Sequence, residues 1–147
     1  MLFLTILLVL IIEGVLSIAY LGVVVIYYLL YAFGAYKLFS KTNRPGWWAF
    51  VPIFNEYQIY KLAWDPTYFW VYFGSEIVLK LFYKEDSFSI IKLGLSLLTL
   101  IVQFVVANKL AKAFNRSTAF GLGLFFFPAI FTIILGLSDS RYIGRQY

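Results

Sequence analysis

The chain has 147 residues, 63% of them hydrophobic and 13% charged, and its mean hydropathy of +0.86 lies well above that of soluble globular domains. It contains neither cysteine nor histidine, which excludes disulfides, thiol nucleophiles, His-ligated metals and haem, and Ser-His or Cys-His catalysis. The net charge of +5 resides mainly on Lys and Arg placed between apolar runs, so it reads as a topology signal toward anionic headgroups and not as affinity for nucleic acid.

Residues 2–36 carry a single charge, Glu13. As one helix they would extend about 52 Å, against a hydrocarbon core of about 30 Å. One tilted or protruding helix fits, and so do two short helices turning near residues 14–22. The single helix is expected, because residues 17–22 hold no Pro, Asn or Asp on which to turn. No Lys or Arg precedes the run and no small-residue cleavage pattern follows it, so it is expected to be retained rather than removed as a signal peptide.

The next stretch gathers the chain's aromatic and polar chemistry: NRPGWWAFVPIFNEYQIYKLAWDPTYFW, residues 43–70, holds all four tryptophans. Trp47, Trp48 and Trp64 suit the headgroup boundary, where an indole is half dry and its N–H finds water or lipid oxygen. Pro45 and Pro52 remove backbone donors and restrict the residues before them, so 46–54 is not expected to be a straight spanning helix. From Asn55 onward Ile59, Leu62 and Ala63 share one helical face and Gln58, Lys61 and Asp65 another, the pattern of a helix lying in the interface. Asp65-Pro66 ends it.

Three further apolar segments follow, 68–83, 87–107 and 118–137. The expected fold is therefore all-α and membrane-integral, one domain over 1–147, with about four transmembrane helices (2–36, 68–83, 87–107, 118–137) and a kinked interfacial aromatic helix at 46–65 between spans one and two. Lys37, Lys41, Arg44, Lys61, Lys109, Lys112 and Arg116 fall on one side of such a bundle, and Lys84, Arg141 and Arg145 on the other. The first set belongs in the cytoplasm, with both termini outward.

Ionisable groups at membrane depth are costly unless paired or hydrated. Glu76 and Lys80 stand four apart in the favourable order. A turn of spans two and three about residues 84–87 would also bring Lys92 near Lys80, a structural clamp or an ion path. Glu13 has no local partner; it could bond a neighbouring helix or subunit, face water, or be held neutral by burial. Gly121 and Gly123 permit close helix packing, and Pro128 kinks the fourth span, which could cross or re-enter.

Two blocks carry a family resemblance. KTNRPGWWAFVPIFNEYQIYKLAWDPTYFW is similar to a Gly-Trp, Ile-Pro-x-Tyr-Asn, Tyr-x-Leu-x-Lys-Ile, Pro-x-x-Trp sequence, and NKLAKAFNRSTAFGLGLFFFPAIFTIILGLSDSRYIG to a Leu-Ala-x-x-Phe, Phe-Gly-Leu-Gly, Leu-x-Pro sequence with a short Tyr-containing tail. Both resemble a family of small bacterial multi-span membrane proteins that often bear the label signal peptidase I, a related module being fused ahead of the peptidase domain in some bacteria. Phe54 replaces the usual Tyr, and the first apolar run is longer than usual. The resemblance implies the bacterial inner membrane and this helical architecture.

It does not bring peptidase chemistry. Type I signal peptidases use a Ser-x-Met-x-Pro nucleophile and a Lys base in a β-domain, whereas the one methionine here is Met1. Ser89 and Ser96 flank Lys92 at helical spacings, yet such serines more often bond helix carbonyls while the lysine reaches for the surface. Asp65, Asp86 and Asp139 lie at span ends or in loops, unlike the embedded pair of an aspartic intramembrane protease. The expectation is a non-enzymatic scaffold or accessory subunit that needs no cofactor or metal and binds the lipid bilayer, other membrane proteins or itself. Trp47, Trp48, Pro52, Asn55, Tyr57, Lys61 and Trp64 would form its recognition surface. A homo-oligomeric ion channel or small-solute transporter is the alternative, motivated by Glu13, Glu76, Gln103 and the broken fourth span.

Overall fold

The computed structural model describes residues 2–84 and 89–146, and of residues 2–11 the backbone course alone. The described chain runs α1 Leu2–Lys41, a 3-10 turn Gly46–Phe50, α2 Phe54–Ala63, α3 Thr67–Leu81, α4 Ser89–Ala113, α5 Thr118–Phe126 and α6 Pro128–Leu137, with no strand among the described residues. The first apolar run is one continuous helix. The turn between spans two and three expected at 84–87, and Asp86 with it, falls largely outside the described residues.

Two segments are long and apolar enough to cross a membrane, Ile12–Lys41 and Ser89–Ala113. The apolar side chains of α1 from Ile12 to Leu30 point outward, so this is not a helix wrapped by a protein core. Four such spans were expected, and that number is corrected on two counts. The second of them, α3, has only 15 residues, about 22 Å of helix. The fourth is not a single helix at all.

Residues 118–137 fold as two short antiparallel helices. Phe125 of α5 meets Phe104 of α4 at 5.6 Å, and Gly121 packs against Asn108, so α5 runs antiparallel to α4. The next helix, α6, runs parallel to α1: Gly34 touches the backbone at Thr132 and Ile133, Gly136 lies against Gly34 and Lys37, and the Lys41 ammonium donates to the Leu135 carbonyl at 2.8 Å and to that of Ser138. Phe120 and Phe131 close the pair at 5.2 Å, far nearer than eleven residues of straight helix allow. The cause is local. Phe127 leaves helical geometry (φ −131°, ψ 60°) ahead of Pro128, as the residue before a proline is pressed to do, and Pro128 then opens a new helix at its first position, where its missing N–H costs nothing. Each arm spans about 14 Å, half the thickness of a bilayer core.

This hairpin moves the C-terminal tail. The Ile143 N–H donates to the Ala113 carbonyl (2.8 Å), Gln146 N–H to Ala63 (3.2 Å) and the Tyr142 hydroxyl to Leu62 (3.0 Å), while the Lys109 ammonium binds the Gln146 carbonyl (3.0 Å). The tail therefore lies at the end of the molecule where α1 and α4 finish. Arg141 and Arg145, assigned above to the opposite side, join the seven cations of that end and leave Lys84 at the other. The expectation that both termini share one side is corrected accordingly.

The two long helices finish alike. Asn43 and Asn115 adopt positive φ (55° and 56°), and the N–H of the following Arg44 or Arg116 returns to the carbonyl five residues back, Phe39 or Ala111, at 3.0 and 2.9 Å. Asn tolerates that left-handed geometry and so closes both helices without glycine. The core lies at this end, where Leu38, Phe39, Leu62, Phe69, Phe114, Thr132 and Leu135 are fully buried.

Candidate functional site

Six helices that meet at one end leave a space above their core. A cavity of about 610 Å³ opens between α1, α2, α3, α4 and the hairpin, large enough for a small organic molecule. Much of its wall is apolar: Ile59, Phe73, Val106, Leu110 and Leu124. Tyr28 and Tyr31 project from α1, Glu56 and Tyr60 from α2, Tyr72, Glu76 and Lys80 from α3, and Gln103 from α4. The tip of the hairpin, with Phe125, Pro128 and Thr132, forms the remaining side.

The local sequence explains how these groups reach one space. Tyr28 and Tyr31 are three apart on α1 and share a face; Tyr72 and Glu76 do so at a spacing of four on α3, and Glu56 and Tyr60 on α2. The register of α2 is set by a strained turn. Ile53 has φ 64° and ψ −52°, and Phe54 N–H reaches back to the Pro52 carbonyl at 2.6 Å, a γ-turn geometry that costs a β-branched residue about 1–3 kcal/mol. Ile53 and Pro52 both border the cavity. Asn55 anchors the same turn by donating to the Ala49 carbonyl at 2.8 Å.

Glu56 is the residue on which the electrostatics turn. Burial first, and the neighbouring Glu76 charge second, push its carboxyl above the ordinary range, with Lys80 opposing in part. The carboxylate lies near enough to act on Tyr28, Tyr31, Tyr60 and Tyr72. The Tyr60 hydroxyl is in turn raised by burial and by Glu56. Tyr72 is engaged by the Gln103 side chain, but the buried hydroxyls of Tyr28 and Tyr60 have no hydrogen-bond partner among the described residues.

Of the residues singled out in the sequence, Glu76, Lys80 and Gln103 converge here, together with Pro52 and Asn55. Glu13 does not: it is exposed on α1, about 21 Å of helix ahead of Tyr27. Lys92 does not line the cavity either: its ammonium donates to the Tyr83 carbonyl at 3.0 Å, just past the end of α3. Trp47 is 62% exposed, while Trp48 is half-buried edge-on to Phe54 at 5.2 Å. Tyr57 sets its ring edge-on to Phe69, and Lys61 is exposed. Trp64 stacks on Tyr68 at 3.5 Å beneath the Lys109 ammonium.

Gln58, placed above on the polar face of α2, is buried and accepts a hydrogen bond from Arg44 at 2.9 Å. A Cβ on Gly121 would stand 2.4 Å from Asn108 Oδ1, and one on Gly123 would enter the Phe131 ring. Glu56 and the tyrosines of α1 were not singled out. The available signal was the spacing of Tyr28 and Tyr31, which share a face of a helix that also carries Tyr20, Tyr27, Phe33, Tyr36 and Phe39, whereas a Glu in a mixed interfacial helix looks like any solvent-facing residue.

No group of three or more His, Cys, Asp or Glu side chains suited to a metal converges among the described residues. What the arrangement offers is a pocket with an acidic floor, aromatic walls and a hydrogen-bonding rim. No curated protein and no solved structure is significantly similar to the chain. A family model does match residues 47–145, which comprise everything from the 3-10 turn through the tail and roughly two-thirds of the sequence; the chain belongs to that family, a family of unknown function (DUF5684).

Proposed function

We propose that this is a non-catalytic multi-pass protein of the bacterial inner membrane that binds a small amphipathic solute and carries it within the bilayer. The cavity carries this reading: it combines ionisable groups, tyrosine side chains and an apolar wall beside a broken helix pair. Discontinuous helices that end at a mid-depth polar site are the recurrent device of solute carriers. Exposed Lys80 and Gln103 mark its open side, which suits a ligand that arrives from lipid with its polar head leading. Thermal melts of the purified chain against a panel of amphiphiles would identify protective ligands, and counterflow in liposomes would measure their passage. Ala107→Phe, which places a ring in the cavity, should abolish both protection and flux. Equal protection of wild type and this variant would sink the assignment.

One observation favours a second reading as accessory subunit of another membrane protein, in keeping with the resemblance to a module found ahead of a secretion peptidase. Trp47, Phe50, Ile53 and Trp70 are exposed close to the cationic end, an aromatic patch of the kind that partners bury. Co-purification in mild detergent that survives Ala107→Phe but is lost in Trp47→Ala would place the function on that surface.

A further inference from the structure

We infer that the cavity selects an organic ammonium ion, with Glu56 as its counter-ion and the tyrosine rings as its walls, and that the ion exchanges with a proton on Glu56. The inference rests on the solute-binding reading above and names the ligand's chemical class.

Charge is the first observation. With both carboxylates ionised, Glu56, Glu76 and Lys80 leave the cavity one negative charge in excess, and Lys80 stands exposed at the rim rather than on the floor. The walls are the second. Tyr60 and Tyr72 stack at 6.0 Å with 20° between their planes, and Tyr28 and Tyr31 approach the same carboxylate from α1. A cation held over the face of such a ring is attracted by the ring quadrupole, most strongly where water is excluded. The hairpin tip is the third. There α5 ends, offering the negative end of its dipole, while Pro128 opens α6 without an N–H, so the opposing positive end lacks one of its donors.

Proton exchange follows from what faces Glu56. Tyr28 and Tyr31 do so from α1, Tyr60 from its own helix, Glu76, Lys80 and Tyr72 from α3; α4 and the hairpin contribute only the neutral Gln103 and Thr132. Burial and the Glu76 carboxylate favour the proton on Glu56, and an arriving cation favours its release. One ammonium enters as the Glu56 O–H bond breaks, its electron pair staying on the carboxylate and its proton passing to solvent, so charge balances.

The test uses the full chain in a neutral detergent with benzyltrimethylammonium and its uncharged carbon isostere, neopentylbenzene, read by thermal melts and, for the cation, by calorimetry in two buffers of different ionisation heat. The cation alone should protect, with about half a proton released per ion bound at the pKa of Glu56, rising to about one below it, where affinity falls about tenfold per pH unit. Glu56→Gln should lose the protection and the pH dependence, and Glu56→Asp should retain both. Should Glu56→Gln fail to fold, as judged by size exclusion, the Asp variant and the wild-type pH series decide alone. Equal protection by the isostere overturns cation selection while leaving solute binding intact. Protection of Glu56→Gln by the cation overturns the role of Glu56. Protection by neither probe, in a protein that the amphiphile panel does protect, overturns the ammonium class; no protection by anything overturns the solute reading as well.

Discussion

Gly34 is where α1 can approach α6, and replacing it with alanine tests the packing that holds the hairpin in place. The added Cβ would stand 2.6 Å from Ile133 N and 2.7 Å from the Thr132 carbonyl carbon, against a comfortable separation of about 3.5 Å. Both obstructing atoms are backbone and cannot rotate away. The helices must therefore part by roughly 0.9 Å at this level, enough to forfeit a quarter to a half of each nearby dispersion contact. Overpacking of this kind costs about 1–3 kcal/mol, and a Cβ on Gly136 would likewise stand 2.7 Å from the Gly34 carbonyl oxygen, so the pair has no slack at this level and the upper part of that range applies. Alanine returns up to about 1 kcal/mol of helix propensity, so Gly34→Ala should destabilise by roughly 1–2 kcal/mol net. Gly22→Ala is the internal control, since nothing lies within 4 Å of its added Cβ on the same helix; it should be neutral or slightly stabilising. Unfolding by SDS titration from mixed micelles, followed by circular dichroism, would separate the two. Coincident midpoints for Gly34→Ala and Gly22→Ala would refute the close approach of α1 and α6.

Three other outcomes are expected. In this cysteine-free chain, Ser40→Cys and Ser140→Cys should react with an impermeant thiol reagent from the same side of the membrane and Lys84→Cys from the other; labelling of the first two from opposite sides would mean that 118–137 crosses. Because the folded protein raises the pKa of Glu56, stability from that group is fully present below about pH 4.5 and is lost as pH rises through the folded value, so wild-type melting temperature should fall over that window while Glu56→Gln stays flat. Trp48→Ala should lower stability by about 2–3 kcal/mol in the same SDS titration, as loss of a partly buried ring does, whereas Trp47→Ala should leave stability within about 0.5 kcal/mol.

Much of the helical skeleton was legible because it depends on local rules. The continuity of α1 followed from what residues 17–22 lack, the start of α2 from its face pattern, and the start of α3 from Asp65-Pro66, where the Asp65 carboxylate accepts the Thr67 N–H at 2.7 Å. Hydropathy could not show the hairpin. Twenty apolar residues read alike whether they cross once or fold back, and the decisive cue, a proline preceded by a residue forced out of helix, was taken for a kink. That single misreading carried Arg141 and Arg145 to the wrong end. The cavity was half legible: Glu76, Lys80 and Gln103 stood out by the cost of burying them, but Glu56 and Gln58 sit in a helix whose polar residues were assumed to face water. One binds Arg44 and the other faces a cavity, and only the packing of α2 against α4 reveals it.

The pairing of α1 with α6 has a consequence for how the molecule is made. Lys41 bonds to carbonyls 94 and 97 positions further along the chain, so on the membrane reading proposed above the first helix would enter the bilayer long before its partner exists. Until residues 135–138 emerge, Gly34 presents bare backbone to lipid and Lys41 must keep its charge at the headgroups. Contacts between positions so far apart close slowly, and the nascent protein is open along one flank throughout. Until it returns, the hairpin leaves that flank of α1 uncovered, and closing it must displace whatever covers the flank in the meantime.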